Sequence, residues 1–332
     1  MYVSLGKGGP RVSRVGLGLW QHGSRLWGGE GSVERLAAGL SIALEEGLNL
    51  LDTAEVYGWG ESERLLGRAL KMLGASDSFV VVSKVAGFRH GESDIIGAVR
   101  RIASRLGRAP DVILHHWPPP AWASVCRVVR GLERAVSEGL TGDYGLSNYG
   151  EGLLARALEC QRRLEPIALQ AQYSLAYRTP EKRLLRMAAE AGMGFMAWSP
   201  LAKGALAGLR RPVSRAQRGD PVFKAASGDE RLQSTLRGVA EKLGVGMAEV
   251  ALAWLEARGA IPVVGWRRPE RVRAAAVAAR MELPGWAVEE LDSVSRVYVD
   301  LWGDRYRPPS EPLIRLVPGL AQRLLLSLVG GI

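Results

Sequence analysis

Short apolar runs alternate with longer stretches of helical spacing along almost the whole chain. Runs over 15–20, 48–53, 79–85, 112–117, 143–147, 167–172, 194–198 and 260–265 have the length of buried strands and predict eight of them. In the segments 32–46, 62–73, 94–106, 125–137, 151–164, 181–190, 247–258 and 268–279, apolar residues recur every three or four positions, which predicts helices. Glycine closes several of these at Gly47, Gly74, Gly107, Gly139 and Gly192, as a stop signal requires. The glycine- and valine-rich opening, 2–14, reads as a hairpin. Eight strand–helix units favour an α/β fold of the closed kind, a (β/α)8 TIM barrel with an N-terminal β-hairpin, over an open sheet. A doubly wound dinucleotide-binding sheet would need G-x-G-x-x-G after its first strand, and both Gly16-Leu-Gly18-Leu-Trp-Gln21 and Gly58-Trp-Gly60-Glu-Ser-Glu63 lack the third glycine.

The length of 332 residues and 47% apolar content are enough for one large core, and no compositional break divides the chain. Residues 1–300 are expected to form the barrel and 301–332 a C-terminal extension. The apolar stretch 313–328, interrupted by Arg315 and Arg323, is expected to close the barrel, add to the pocket rim or form a homo-oligomer contact. A polar, glycine-rich start without an apolar segment argues against secretion, and no apolar run is long enough to span a bilayer. Two cysteines, Cys126 and Cys160, lack metal-ligand spacing, so a reduced, cytoplasmic location is expected. Four scattered histidines give no metal site either. The net charge of +10 comes mostly from arginines interleaved with acids along helices; these are solvated faces, and neither nucleic acid nor membrane is an expected partner.

The candidate chemistry sits at strand ends. Asp52 and Tyr57 follow one apolar run, Lys84 ends the next and His116 the one after, so a parallel barrel would gather all four at the rim where barrel enzymes work. Singly, each is an ordinary cap, core or surface residue. Together, a carboxylate, an ammonium, a phenol and an imidazole suit proton donation to a carbonyl oxygen. A phenol ionises near pH ~10, and a neighbouring ammonium held by Asp52 is expected to lower that by about two to three units, which takes roughly 3–4 kcal/mol. In a chain that prefers arginine, the lysine at position 84 fits a compact ammonium. Asn148, one of only two asparagines, stands with Ser147 at a strand end; with Gln170 they supply groups that would fix a carboxamide. Trp20, Trp59 and Trp117 are candidate walls of a substrate pocket.

These motifs resemble the aldo-keto reductase family over residues 2–300, from the opening Leu5-Gly-Lys-Gly-Gly-Pro-Arg-Val-Ser-Arg-Val-Gly-Leu-Gly18 onward. Asp52-Thr-Ala-Glu-Val-Tyr57-Gly-Trp-Gly-Glu-Ser-Glu63, Leu114-His-His116-Trp-Pro118, Gly145-Leu-Ser147-Asn148 and Trp198-Ser199-Pro200-Leu201 follow in order. The resemblance is nearest the branch holding bacterial reductases and potassium-channel β-subunits. It implies NADP(H) laid across the barrel rim, with a small-molecule carbonyl substrate and alcohol product. By motif match Asp52, Tyr57, Lys84 and His116 take the catalytic positions, and Ser147, Asn148 and Gln170 those that hold the nicotinamide amide. Trp198 takes the position of the stacking ring, where the family usually has tyrosine. Ser199, Leu201, Lys203 and Gly204 fall in the segment over the pyrophosphate; Gly265, Arg267, Arg268 and Arg271 fall in the one that grips the 2′-phosphate. Ala274 and Ala275 replace the acid and asparagine that commonly meet adenine. The branch also implies a second class of function, a nicotinamide-binding regulatory or partner subunit with vestigial catalysis.

Overall fold

A computed structural model describes residues 1–23, 31–302 and 321–322. Strands β1 (Tyr2–Ser4) and β2 (Arg11–Ser13) pair antiparallel as the expected hairpin. The next eight strands are β3 (Gly16–Gly18), β4 (Leu50–Asp52), β5 (Val80–Val85), β6 (Val112–His115), β7 (Asp143–Ser147), β8 (Ala168–Gln172), β9 (Gly194–Trp198) and β10 (Ala260–Gly265). They pair in parallel in sequence order, and β10 closes on β3, so the barrel is complete. Most are largely apolar because both faces are covered, with polar residues such as Lys84, Ser147 and Gln170 among them.

Helices follow the strands: α1 (Trp20–Gly23), α2 (Val33–Glu45), α3 (Glu61–Leu73), α4 (Glu92–Leu106), α5 (Val125–Ser137), α6 (Glu151–Cys160) and α7 (Leu184–Glu190). Between β9 and β10 lie α8 (Arg215–Arg218), α9 (Pro221–Gly228), α10 (Glu230–Leu243) and α11 (Met247–Ala257), and α12 (Arg271–Arg280) and α13 (Gly285–Ser295) complete the layer. Their apolar faces pack on the outer faces of the strands in one large buried cluster. A second cluster fills the barrel interior, where Leu5 and Val12 of the hairpin meet Leu50, Val112, Ile167 and Met196. The hairpin thereby plugs the end at which the strands begin: Lys7 N–H donates to Gly192 O and Ser13 N–H to Asn49 Oδ1. Among the described residues, the opposite rim is left open for a ligand.

Several expected helices are shorter, with local causes. The helix expected over 151–164 stops at Cys160 because the N–H groups of Arg162, Arg163 and Leu164 all donate to Glu133 Oε1 on α5. The segment 181–190 divides into a 3-10 turn, Thr179–Lys182, and α7, parted by the non-helical φ of −150° at Arg183. Cys126 and Cys160, expected as free thiols, form a disulfide with Cα atoms 4.9 Å apart, because α5 and α6 are neighbours despite 34 residues of separation. No helix among the described residues is long and apolar enough to cross a membrane. Apart from 301–302 and 321–322, the expected C-terminal extension lies outside the described residues.

Candidate active site

Asp52 is the last residue of β4, Lys84 lies in β5, and His116 follows β6 directly, so adjacent strands deliver them to one rim. Val82 and Lys84 share the inward face of β5 by the period of two. Lys84 is wholly buried, and its Nζ donates to Asp52 Oδ1 at 2.6 Å and to Thr53 O at 2.8 Å. Gln170 Nε2, from β8, donates to the other carboxylate oxygen, Asp52 Oδ2, at 2.7 Å. The ammonium stands 5.1 Å from the centroid of the Tyr57 ring, and the His116 ring meets that ring edge-on with centroids 5.7 Å apart.

The electrostatics differ from the sequence expectation. Burial, and after it the charge of Asp52, pushes the Tyr57 phenol well above its ordinary pKa. The ammonium does not reverse this because Lys84 is ion-paired with Asp52 at 2.6 Å, so the pair presents little net charge to the phenol. Lys84 itself is lowered by burial, with Asp52 acting against the shift. Burial, then Lys84 and His115, holds His116 well below the usual imidazole value. The rim therefore offers a protonated phenol and a neutral imidazole.

Asn148 takes a left-handed backbone, φ 60°, which asparagine tolerates better than most residues. Its Nδ2 donates to His116 O at 2.9 Å and Ser147 Oγ at 3.1 Å, while its Oδ1 accepts from Trp198 Nε1 at 2.9 Å. The expected amide-binding groups are thus already engaged with protein. Ser147 is buried below Asn148 and does not line the cleft, whereas Asn148, Gln170 and Trp198 do.

That cleft, about 770 Å³, runs continuously from Asp52, Tyr57 and His116 past Trp198 to Arg267, Arg268 and Arg271. Ser199, Leu201, Lys203, Gly204 and Gly265 line it in between. Ser199, Ala202 and Lys203 have φ of 54°, 45° and 55°, strained values for residues bearing a Cβ, and Gly204 follows at 105°. This turn is tied down by residues the sequence reading missed. Lys203 Nζ pairs with Asp220 Oδ2 at 2.7 Å and lies 5.6 Å from the centroid of the Trp20 ring, while Gln217 Nε2 donates to Lys203 O at 2.8 Å. Asp220 and Gln217 precede α9, in a stretch where strand–helix alternation gave no signal.

At the far end, Arg268 and Arg271 are exposed and α12 begins at Arg271 rather than at 268. Ala274 and Ala275 line the cleft there, joined by Glu249 of α11, which was not foreseen. Among the expected pocket walls, Trp20 and Trp117 line the cleft. Trp59 does not; it is 37% exposed on a turn with φ 55°. Phe88 takes up the packing instead, with its ring 6.0 Å from that of Trp117.

Fold and cleft define the class: a (β/α)8 barrel with a long rim channel, aromatic along its floor and cationic at one end. The chain matches the model of the Aldo/keto reductase family over residues 14–296, and it belongs to that family. It is 32% identical over 306 residues to uncharacterised oxidoreductases of Mycobacterium bovis and Mycobacterium tuberculosis, covering 87% of this chain and 91% of each relative. Among solved structures, a thermostable aldo-keto reductase in complex with the inhibitor epalrestat superposes with TM-score 0.74 at 26% identity, covering 89% of this chain and 99% of that one. An aldo/keto reductase from Klebsiella pneumoniae, in complex with NADP and acetate, gives 0.73 at 27% identity, covering 90% and 96%. A Klebsiella pneumoniae aldo-keto reductase in complex with NADPH gives 0.74 at 25% identity, covering 93% and 98%.

Proposed function

We propose that this protein is an NADPH-dependent oxidoreductase that reduces an aldehyde or ketone to an alcohol, with Tyr57 as the proton donor. The observation that carries the reading is the continuity of the cleft from Tyr57 and His116 to the three arginines. A dinucleotide phosphate needs an aromatic face at one end and cations at the other, and Trp198 and Arg267, Arg268 and Arg271 supply them in that order. Gly265 leaves room for the Gln21 side chain in the channel wall, since a Cβ there would stand 3.1 Å from the Gln21 amide. The solved neighbours that hold NADP or NADPH support the same cofactor here.

When bound, NADPH supplies the hydride that goes to the carbonyl carbon. Tyr57 gives its proton to the carbonyl oxygen. Its raised pKa keeps it protonated at working pH, and a developing alkoxide is basic enough to take the proton even so. His116, kept neutral by burial, hydrogen-bonds and orients the carbonyl without placing a second charge beside Lys84. Asp52 holds Lys84, and Asn148 holds the His116 carbonyl and the Trp198 ring. Trp20 and Trp117 give the substrate end an apolar, aromatic lining suited to hydrophobic carbonyls.

Tyr57→Phe tests this. NADPH affinity, followed by fluorescence, should stay within about twofold, while kcat over a panel of aldehydes and ketones should fall by about 10²–10⁴. Undiminished turnover would reject the proton-donor role. Rapid single-turnover oxidation of bound NADPH by an aldehyde separates this enzyme from a cofactor-binding partner subunit.

A further inference from the structure

The Asp52–Lys84 pair is met by a third group, from the far side of the barrel. Gln170 lies 118 residues from Asp52 in sequence, yet its Nε2 donates to Asp52 Oδ2 at 2.7 Å while Lys84 fills Oδ1 at 2.6 Å. All three side chains are buried, at 2%, 4% and 0% exposure for Gln170, Asp52 and Lys84. The other contact of the same Nε2 is the Met196 thioether at 3.8 Å, a weak acceptor, so the amide is committed to the carboxylate.

We propose that Gln170 is a positioning residue for proton donation: it clamps Asp52 with Oδ1 turned to Lys84, and so fixes the ammonium beneath the Tyr57 ring. The inference rests on the reading of Tyr57 as proton donor. An amide suits the task because it satisfies the second oxygen without changing net charge. A cation there would leave the pair positive, and a carboxylate would repel Asp52. The charged and titratable groups around the clamp are Lys84 of β5, Tyr57 in the turn after β4 and His116 after β6, with Glu63 of α3 acting on Lys84 from outside the barrel.

Gln170 also lines the cleft, so a cofactor-binding role alone has to be distinguished. The test is to titrate Lys84 by heteronuclear NMR of its Nζ–Cε group in the cofactor-free protein, in wild type, Gln170→Leu and Gln170→Glu. Loss of the clamp in Gln170→Leu frees the carboxylate to turn from the ammonium and should lower the Lys84 midpoint by about half a pH unit or more, a threefold change in the equilibrium. The added negative charge in Gln170→Glu should raise it. At saturating NADPH and carbonyl, kcat of Gln170→Leu should fall by about tenfold, the size of a positioning defect. If Gln170 only held the cofactor, Gln170→Leu would raise NADPH Kd and leave the Lys84 titration unmoved, which would overturn the proposal. Because Lys84 is titrated without cofactor, absence of carbonyl reduction in the wild type sinks the proton-donor reading alone. An unmoved Lys84 sinks the clamp alone.

Discussion

Residue type makes Tyr57 and His116 legible in the sequence, and their surroundings set how they work. Both are pushed away from charge: the phenol upward by burial and Asp52, the imidazole downward by burial and Lys84. The pH dependence of reduction should therefore show no limb near pH ~6.5 that belongs to His116. His116→Ala should lower kcat while leaving the shape of the profile between about pH 6 and 8 unchanged; disappearance of a limb in that range would show a charged His116 at work. Asn148 carries a second residue-scale expectation, since it combines a left-handed backbone with three side-chain hydrogen bonds. Asn148→Ala loses both and should cost about 2–4 kcal/mol in urea unfolding, whereas Asn148→Gly should recover roughly 1 kcal/mol of it by relieving the backbone. Equal losses would mean that the backbone is not strained. Residue identity and strand-end placement made Asp52, Lys84 and Asn148 legible in the sequence. The direction of the Gln170 and Asn148 amides was not, because it is set by partners on other strands.

At the level of elements, the disulfide joins α5 to α6 across 34 residues. In the loop-entropy account a closure of that length stabilises by about 3–4 kcal/mol. Cys126→Ser, or reduction of the wild type, should lower the melting temperature accordingly, and a melt insensitive to dithiothreitol would show that the bond is absent in solution. Gly39 of α2 is a second case: a Cβ there would fall 2.1 Å from Trp266 Cη2, so the helix can approach β10 only through glycine. Gly39→Ala must displace Trp266, which lines the cleft beside Arg267, and should cost about 1–3 kcal/mol and weaken NADPH binding together. Unchanged stability with unchanged NADPH affinity would count against that packing. The strands were easy to read because burial on both faces makes them largely apolar, and the hairpin 2–14 showed in its glycines. The helices α8, α9, α10 and α13 were not anticipated, although Leu232, Leu236, Val239 and Leu243 of α10 keep helical spacing. α9, α10 and α13 follow other helices instead of alternating with strands, and α8 is a four-residue turn after β9, so barrel periodicity gave no reason to look for them. With them went Asp220 and Gln217, which tie down the turn over the cleft.

For the molecule as a whole, the same burial that tunes the rim sets an optimum pH for stability. His22 is lowered to about 4 and His115 to about 3, both chiefly by burial, and His116 is lowered as well. Below about pH 6.5 the unfolded chain takes up protons at these positions that the folded one refuses, so stability falls as pH drops toward 4. For His22 alone the shift corresponds to roughly 3 kcal/mol. Glu256, at the end of α11, works in the other direction. Burial outweighs Arg14, 2.7 Å away, and raises this carboxyl to about 8. The unfolded chain releases that proton above about pH 4.5 while the folded chain keeps it, so this group costs stability as pH rises from there to 8. Below pH 6.5 three histidines outweigh one carboxyl; above it only the carboxyl is still titrating among these groups. The melting temperature should thus peak near pH ~6.5 and decline on both sides. Glu256→Gln should flatten the alkaline side and steepen the acid side between about pH 4.5 and 6.5, where Glu256 no longer opposes the histidines. A melting temperature that climbs steadily to pH 8 in the wild type would mean that Arg14 holds Glu256 ionised and that the carboxyl is a stabilising ion-pair partner instead.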